Sequence, residues 1–408
     1  MNKKVISAML AASMAVSLAA CGSTATSEAS SAVSSETSST VASGESAASG
    51  SYTGTPIKVG GIGPITGAAA TYGNAVKNAE ELAVKEINAA NGSDVFDWKF
   101  EDDEHDAEKS VNAYNSLKDW GMQMLIGTTT STPCTAVVEE SHNDNLFQLT
   151  PSATAVESIQ YDNAFRMCFS DPNQGSASAD YIADNNLAKK VAVIYNSSDT
   201  YSSGIYQNFV TEAEKKGLEV VAAKAFTADN KTDFSVQIQK AKDAGAELVF
   251  LPIYYQEASL ILAQANKAGF SPKWFGCDGM DGILDLEGFD ASLAENLMFL
   301  TPFTANATDD ATQKFVADFK DAFGDTPIQF AADAYDCVYA IKAAAEKENI
   351  TPDMSASDIC DALKKGMTEI TYDGLTGKSI TWSEDGEPTK DPTVVVVQNG
   401  EYQVLEAK

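Results

Sequence analysis

The chain has almost no arginine and almost no histidine. Of its 28 lysines and arginines together one is an arginine, Arg166, and the two histidines are His105 and His142. Without guanidinium forks, an anion has to be held by amides, hydroxyls or lysine. The formal net charge of −30 repels nucleic acid, which excludes that class of partner. Neither histidine has a Cys or His partner at metal-ligand spacing, so no metal and no cofactor is expected. No nucleophile–base pair stands out, so no catalysis is expected either. Cysteine is scarce and irregular: Cys134, Cys168, Cys277, Cys337 and Cys360 predict free buried thiols, not a disulfide framework. Beyond the first twenty residues no stretch is long and apolar enough to span a bilayer.

What is present begins with an export signal, residues 1–20. Lys3 and Lys4 precede an apolar core, Val5–Ala19, too short to cross a membrane. The core closes on Leu18-Ala19-Ala20-Cys21-Gly22, which resembles the bacterial lipobox. That resemblance implies cleavage before Cys21 and a diacylglyceryl group on its thiol. Residues 21–55 are then almost wholly Ser, Thr, Ala, Gly and Glu, a composition that cannot offset its ordering entropy by burial. As a flexible tether it spans on the order of 30 Å. A lipid and a long tether suit the outer face of a Gram-positive membrane.

From Pro56 onward about 350 residues remain, more than one ordinary core holds, so two domains are expected. Strand-like and helix-like segments alternate, and several strand candidates are continuous apolar runs. This predicts an α/β fold with parallel sheets covered on both faces. The central stretch is Gly127–Thr154. An apolar strand, Met124-Leu125-Ile126, ends in Gly127 and five consecutive hydroxyl residues, Thr128–Thr132; Pro133 follows, and a helix is expected over 136–141. A second hydroxyl-rich loop, Thr150-Pro151-Ser152-Ala153-Thr154, follows the next strand. Two adjacent strand-to-helix loops with hydroxyls and free amides suit a small anion such as a carboxylate. Further expectations are a strand over 247–255, a solvated acidic loop at Asp102–Asp106, a surface His142, and a terminal hairpin turning at Asn399-Gly400.

These pieces resemble, in order and spacing, the type I substrate-binding proteins of ABC importers, in particular the Leu/Ile/Val-binding family. They include Tyr72-Gly73, Gly127–Ser131, Leu149–Thr154, Phe165-Arg166, Asp171–Gly175, Asp199-Thr200-Tyr201, Tyr254–Glu257 and Gly276–Gly279. The resemblance implies two Rossmann-like lobes on a three-strand hinge, a Venus flytrap. Lobe 1 would be residues 56–170 with 302–377, and lobe 2 residues 171–301 with 378–408, crossing near 170–172, 301–302 and 378–381. It further implies that Ser131, Ser152, Ala153 and Thr154 hold the carboxylate and amino group of an α-amino acid. Tyr201 and Tyr254 would close over it, and Asp278 would pair with its ammonium, where the branched-chain prototype has Glu. Tyr72 is expected to line the side-chain pocket. The implied function is a monomeric, lipid-anchored receptor that delivers a branched-chain or other aliphatic amino acid to an ABC permease. The alternatives are a different ligand in the same fold (an amide, an aromatic acid, a polyamine-like compound) or a surface sensor domain.

Overall fold

The computed structural model describes residues 54–405. The expected signal, Cys21 and nearly all of the tether lie outside the described residues. The first half of the chain runs β1 (Ile57–Gly63), α1 (Ala70–Asn91), β2 (Phe96–Asp102), α2 (Ala107–Trp120), β3 (Met124–Gly127), α3 (Ser131–Asn143), β4 (Gln148–Thr150) and β5 (Ala164–Arg166). Next come α4 (Asp171–Asp184), β6 (Lys190–Asn196), α5 (Thr200–Lys216), β7 (Glu219–Phe226), α6 (Ser235–Asp243), β8 (Leu248–Leu251), α7 (Tyr255–Lys267), β9 (Lys273–Gly276) and β10 (Met298–Thr301). Three helices, α8 (Asp310–Phe323), α9 (Gln329–Lys347) and α10 (Ala356–Glu369), precede β11 (Thr393–Gln398) and β12 (Glu401–Val404).

The strands form two sheets. The first, β2-β1-β3-β4-β5, is wholly parallel. The second, β12-β11-β10-β9-β8-β6-β7, is parallel from β10 to β7 and antiparallel where β11 and β12 join. Both are covered on both faces, which is why their strands read as unbroken apolar runs. Val191 and Val193 pack towards Ile205 and Phe209 of α5. Ala192 and Ile194 belong to the core on the opposite face, with Ile238 of α6 and Ile261 of α7. In the first sheet, Val59 and Ile126 share a core with α1, α9 and α10, while Ile62 and Leu125 meet Tyr114 and Val137 of α2 and α3. Strand order reverses between β1 and β3 and again between β6 and β8, and in open parallel sheets the crevice at such a point is where ligands sit.

Three boundaries depart from expectation. The helix expected over 136–141 starts at Ser131 with Thr130 as N-cap, so Pro133 is its third residue; first-turn N–H groups have no partner within the helix, and proline costs nothing there. The strand expected over 247–255 stops at Leu251, because Pro252 has no N–H to donate, and Tyr255 already opens α7. The stretch expected to cross at 378–381 lies on the first sheet. Ile380 and Trp382 pack in its core, Arg166 N donates to Gly386 O (3.1 Å), and the second sheet is entered only at Thr393. The hairpin turns as expected, with Asn399 and Gly400 both left-handed (φ 56° and 77°).

Candidate functional site

The first-sheet side of the cleft is built from the loops after β3 and β4, stitched together by hydroxyls. Thr150 Oγ1 donates to Thr128 O (2.7 Å) and accepts from Ala153 N (3.0 Å), and Ser152 Oγ donates to Thr129 O (2.6 Å). Ser131, the first residue of α3, accepts from both Thr154 N and Ala155 N at 3.2 Å. A hydroxyl has two acceptor positions and one donor, so these contacts leave the Ser131 proton uncommitted. Thr154 Oγ1 donates to Asp171 Oδ1 (2.6 Å). The one arginine braces this loop from behind. Arg166, 1% exposed, donates through Nη1 to Thr154 O (2.5 Å), and its Nε lies 3.0 Å from Glu387.

The second-sheet side centres on Asp278. Tyr201 OH donates to Asp278 Oδ1 (2.7 Å) and accepts from Gly279 N (3.0 Å), while its ring stacks on Tyr254 at 4.8 Å. Gln174 Oε1 accepts from Asp278 N (3.1 Å). Tyr72, on α1, crosses to this side: its hydroxyl donates to Gly279 O (2.6 Å) and its ring stacks on Phe330 (4.1 Å) and meets Tyr254 edge-on (5.5 Å). The residues expected from the sequence on each side therefore lie together, all buried except the half-buried Tyr254, with Tyr72 bridging the two sides. Among the described residues none of the five cysteines forms a disulfide, and all are buried.

Three carboxyl groups, Asp278, Asp199 and Asp171, are buried here. Burial pushes the Asp278 carboxyl up to about 6 and that of Asp199 up to about 6, and burial also raises Asp171. Arg166 partly offsets the shift at Asp171, and Lys231 that at Asp199. Asp199, the N-cap of α5, also accepts from Thr132 Oγ1 across the cleft (3.2 Å). Carboxylates held like this favour a cation among them.

Sequence reasoning missed His105 and misread its surroundings. The acidic stretch is solvated at Glu104 and Asp106 as expected, but Asp103 is fully buried, and its Oδ1 accepts from His105 N (2.9 Å). Glu104 and His105 are both left-handed (φ 50° and 58°), a tight turn that aims the imidazole inward. His105 Nδ1 bonds Thr130 Oγ1 (2.8 Å), and its ring meets Tyr254 edge-on at 5.5 Å. Burial first, then Lys231, lowers its value to about 4, so the ring is neutral near pH 7. His142 does lie at the surface, stacked on Tyr161. Asp171 and Asp199 fall in recognised pieces of the sequence, but as helix-start residues they gave no separate signal.

Residues 56–401 match the family described as periplasmic binding protein. The chain belongs to that family. It is 30% identical over 348 residues to the Leu/Ile/Val-binding protein homolog 3 of Brucella melitensis, covering 83% of this chain and 90% of that protein. It is 27% identical over 344 residues to the leucine-, isoleucine-, valine-, threonine- and alanine-binding protein of Pseudomonas aeruginosa, covering 83% and 89%. Among solved structures it is similar to the branched-chain amino acid transporter substrate binding protein LivJ from Streptococcus pneumoniae in complex with isoleucine. The TM-score is 0.76 at 26% identity, over 86% of this chain and 99% of that one. A solute binding protein of an ABC transporter from R. palustris in complex with benzoate has the same TM-score, 0.76, at 19% identity over 86% and 96%, a likeness of fold alone. The fold is the two-lobed α/β architecture of type I periplasmic binding proteins.

Proposed function

We propose that the protein is the extracellular receptor of an ABC importer, closing its lobes on an α-amino acid, branched-chain or otherwise aliphatic, and passing it to a membrane permease. One observation carries this reading: hydroxyls and backbone amides of Ser131, at the start of α3, and of the Ser152–Thr154 loop after β4 are buried together with the carboxyl groups of Asp278, Asp199 and Asp171. A zwitterion with a carboxylate at one end and an ammonium at the other complements both. In this reading Ser131, Ser152, Ala153 and Thr154 hold the carboxylate and amino group, Asp278 pairs with the ammonium, and Tyr72, Tyr201 and Tyr254 enclose the side chain. The names of the relatives, Leu/Ile/Val-binding proteins, agree with the ligand class. Lobe 1 is residues 56–170 with 302–377 and the hinge segment packed on it, and lobe 2 carries 171–301 with the terminal hairpin. The protein acts as a monomer without catalysis, anchored through a lipid on Cys21 and reaching the permease on its tether at a Gram-positive surface.

The rings of Tyr72, Tyr201, Tyr254 and Phe330 favour a second reading, an aromatic acid. Such a ligand brings no cation to Asp278, and the carboxylates would repel it. A thermal-shift screen of the purified protein separates the two. Leucine, isoleucine or valine at a hundredfold excess over its dissociation constant stabilises by about 2.7 kcal/mol. A shift with benzoate and none with any amino acid would overturn the proposal.

A further inference from the structure

Helix α9 begins with a local conflict. Its N-cap is Ile328, whose side chain makes no cap hydrogen bond. In this it resembles α1, α3, α6 and α7, whereas α2, α4, α5, α8 and α10 start on Asp106, Ser170, Asp199, Asp309 and Ser355, each of which accepts a first-turn N–H. Ala331 N turns back onto Ile328 O (3.0 Å), but the first amide of the helix, Gln329 N, has no partner within it. The acceptor for that amide comes from the opposite lobe. Asp281, in the turn after β9, takes the Gln329 N–H on Oδ2 (2.8 Å) and holds Gly282 N on Oδ1 (3.0 Å). Asp281 is 3% exposed and makes no ion pair among the described residues. The ionisable groups around it are Asp278, Asp285 and Tyr402, none of them basic, so the positive end of α9 is what its charge faces.

The same turn carries Asp278. Asp281 N bonds Asp278 O (3.0 Å), and Gln329 Nε2 donates to that same Asp278 carbonyl (2.7 Å). Gln329 thus makes two bonds across the cleft, one from its backbone and one from its side chain. Two surface grooves, of about 610 and 260 Å³, border this seam, and Asp285, Thr326 and Ile328 line both, so the seam lies where the lobes part.

We propose that Asp281 is a closing latch: a positioning residue that caps α9 only when the lobes are shut and so couples capture at Asp278 to closure. The inference rests on the receptor reading above. An ammonium at Asp278 fixes one end of the turn, and the other end then supplies the missing cap. In the open receptor α9 starts uncapped, which biases it towards closing once the turn is set.

The test uses the full-length protein, Asp281→Ala and the milder Asp281→Asn, with L-isoleucine as probe. Two quantities are read: hydrogen exchange of the Gln329 amide, and isoleucine affinity with its dissociation rate. The Gln329 N–H has no partner within its helix, so its protection reports on Asp281. Asp281→Ala is expected to speed its exchange at least tenfold and to weaken isoleucine about three- to thirty-fold through faster release. The ligand-free thermal midpoint should stay at the parent value, and Asp281→Asn, which keeps an acceptor oxygen, should fall between. Unchanged Gln329 exchange would overturn the latch. So would a lowered ligand-free midpoint in both variants, which marks a purely structural role. If the parent binds no amino acid the receptor reading fails, while the exchange comparison still decides the cap.

Discussion

Ser131 ties the two hydroxyl-rich loops into one surface, because a single oxygen accepts from Thr154 N and Ala155 N. Removing it strands two buried donors, and Ser131→Ala is expected to cost about 1–3 kcal/mol. Chemical denaturation of the ligand-free variant and its amino-acid affinity should both register the loss; parent values in both would remove Ser131 from the site. This residue was legible in the sequence because its setting is local: an apolar strand, a glycine, hydroxyls, then a helix. His105 was not. Its inward aim depends on the buried Asp103 carboxylate and on two successive left-handed residues, and an acidic turn of that kind has the same composition as a solvated loop. Asp281 was invisible for a related reason: its partner stands 48 positions away.

At the scale of elements, alternation of apolar runs with amphipathic segments located the strands and helices, since parallel strands buried on both faces advertise themselves. The last crossing between the lobes was misplaced, because what fixes it is tertiary. Lys390, buried, donates to Met167 O (3.0 Å), Asp333 Oδ1 (2.6 Å) and Thr376 Oγ1 (2.7 Å), and Trp382 Nε1 donates to Arg166 O (2.8 Å). These bonds pin the segment to the end of β5 until just before β11. Lys390→Met leaves the Asp333 carboxylate buried and unpaired and is expected to destabilise by about 3–5 kcal/mol. Adding Asp333→Leu should recover much of that. Urea denaturation of the single and double variants checks it, and a double variant no better than the single would show that the pair itself is not what Lys390 serves.

For the molecule as a whole, length and alternation indicated two α/β lobes, and the resemblance supplied their connection; the closure of Tyr72, Gln329 and Thr132 onto the opposite lobe had no signature in the chain. Closure gathers carboxylates from one lobe against hydroxyls and amides from the other, in a protein already at net charge −30. With its value raised to about 6 by burial, Asp278 is ionised at neutral pH, and its protonated form is the one that burial stabilises. That contribution to stability is present below the ordinary carboxylate range and is lost as pH rises through about 6. An ammonium partner reverses the preference, because it needs the ionised form. Titration calorimetry with L-isoleucine from pH 8 to pH 5 tests this most directly. Affinity is expected to stay constant above about pH 6.5, to fall by up to about tenfold per unit below pH 6, and to be weak with a shallower pH dependence in Asp278→Asn. Parent-like affinity in Asp278→Asn, or no binding of any aliphatic amino acid at pH 7.5, would contradict it.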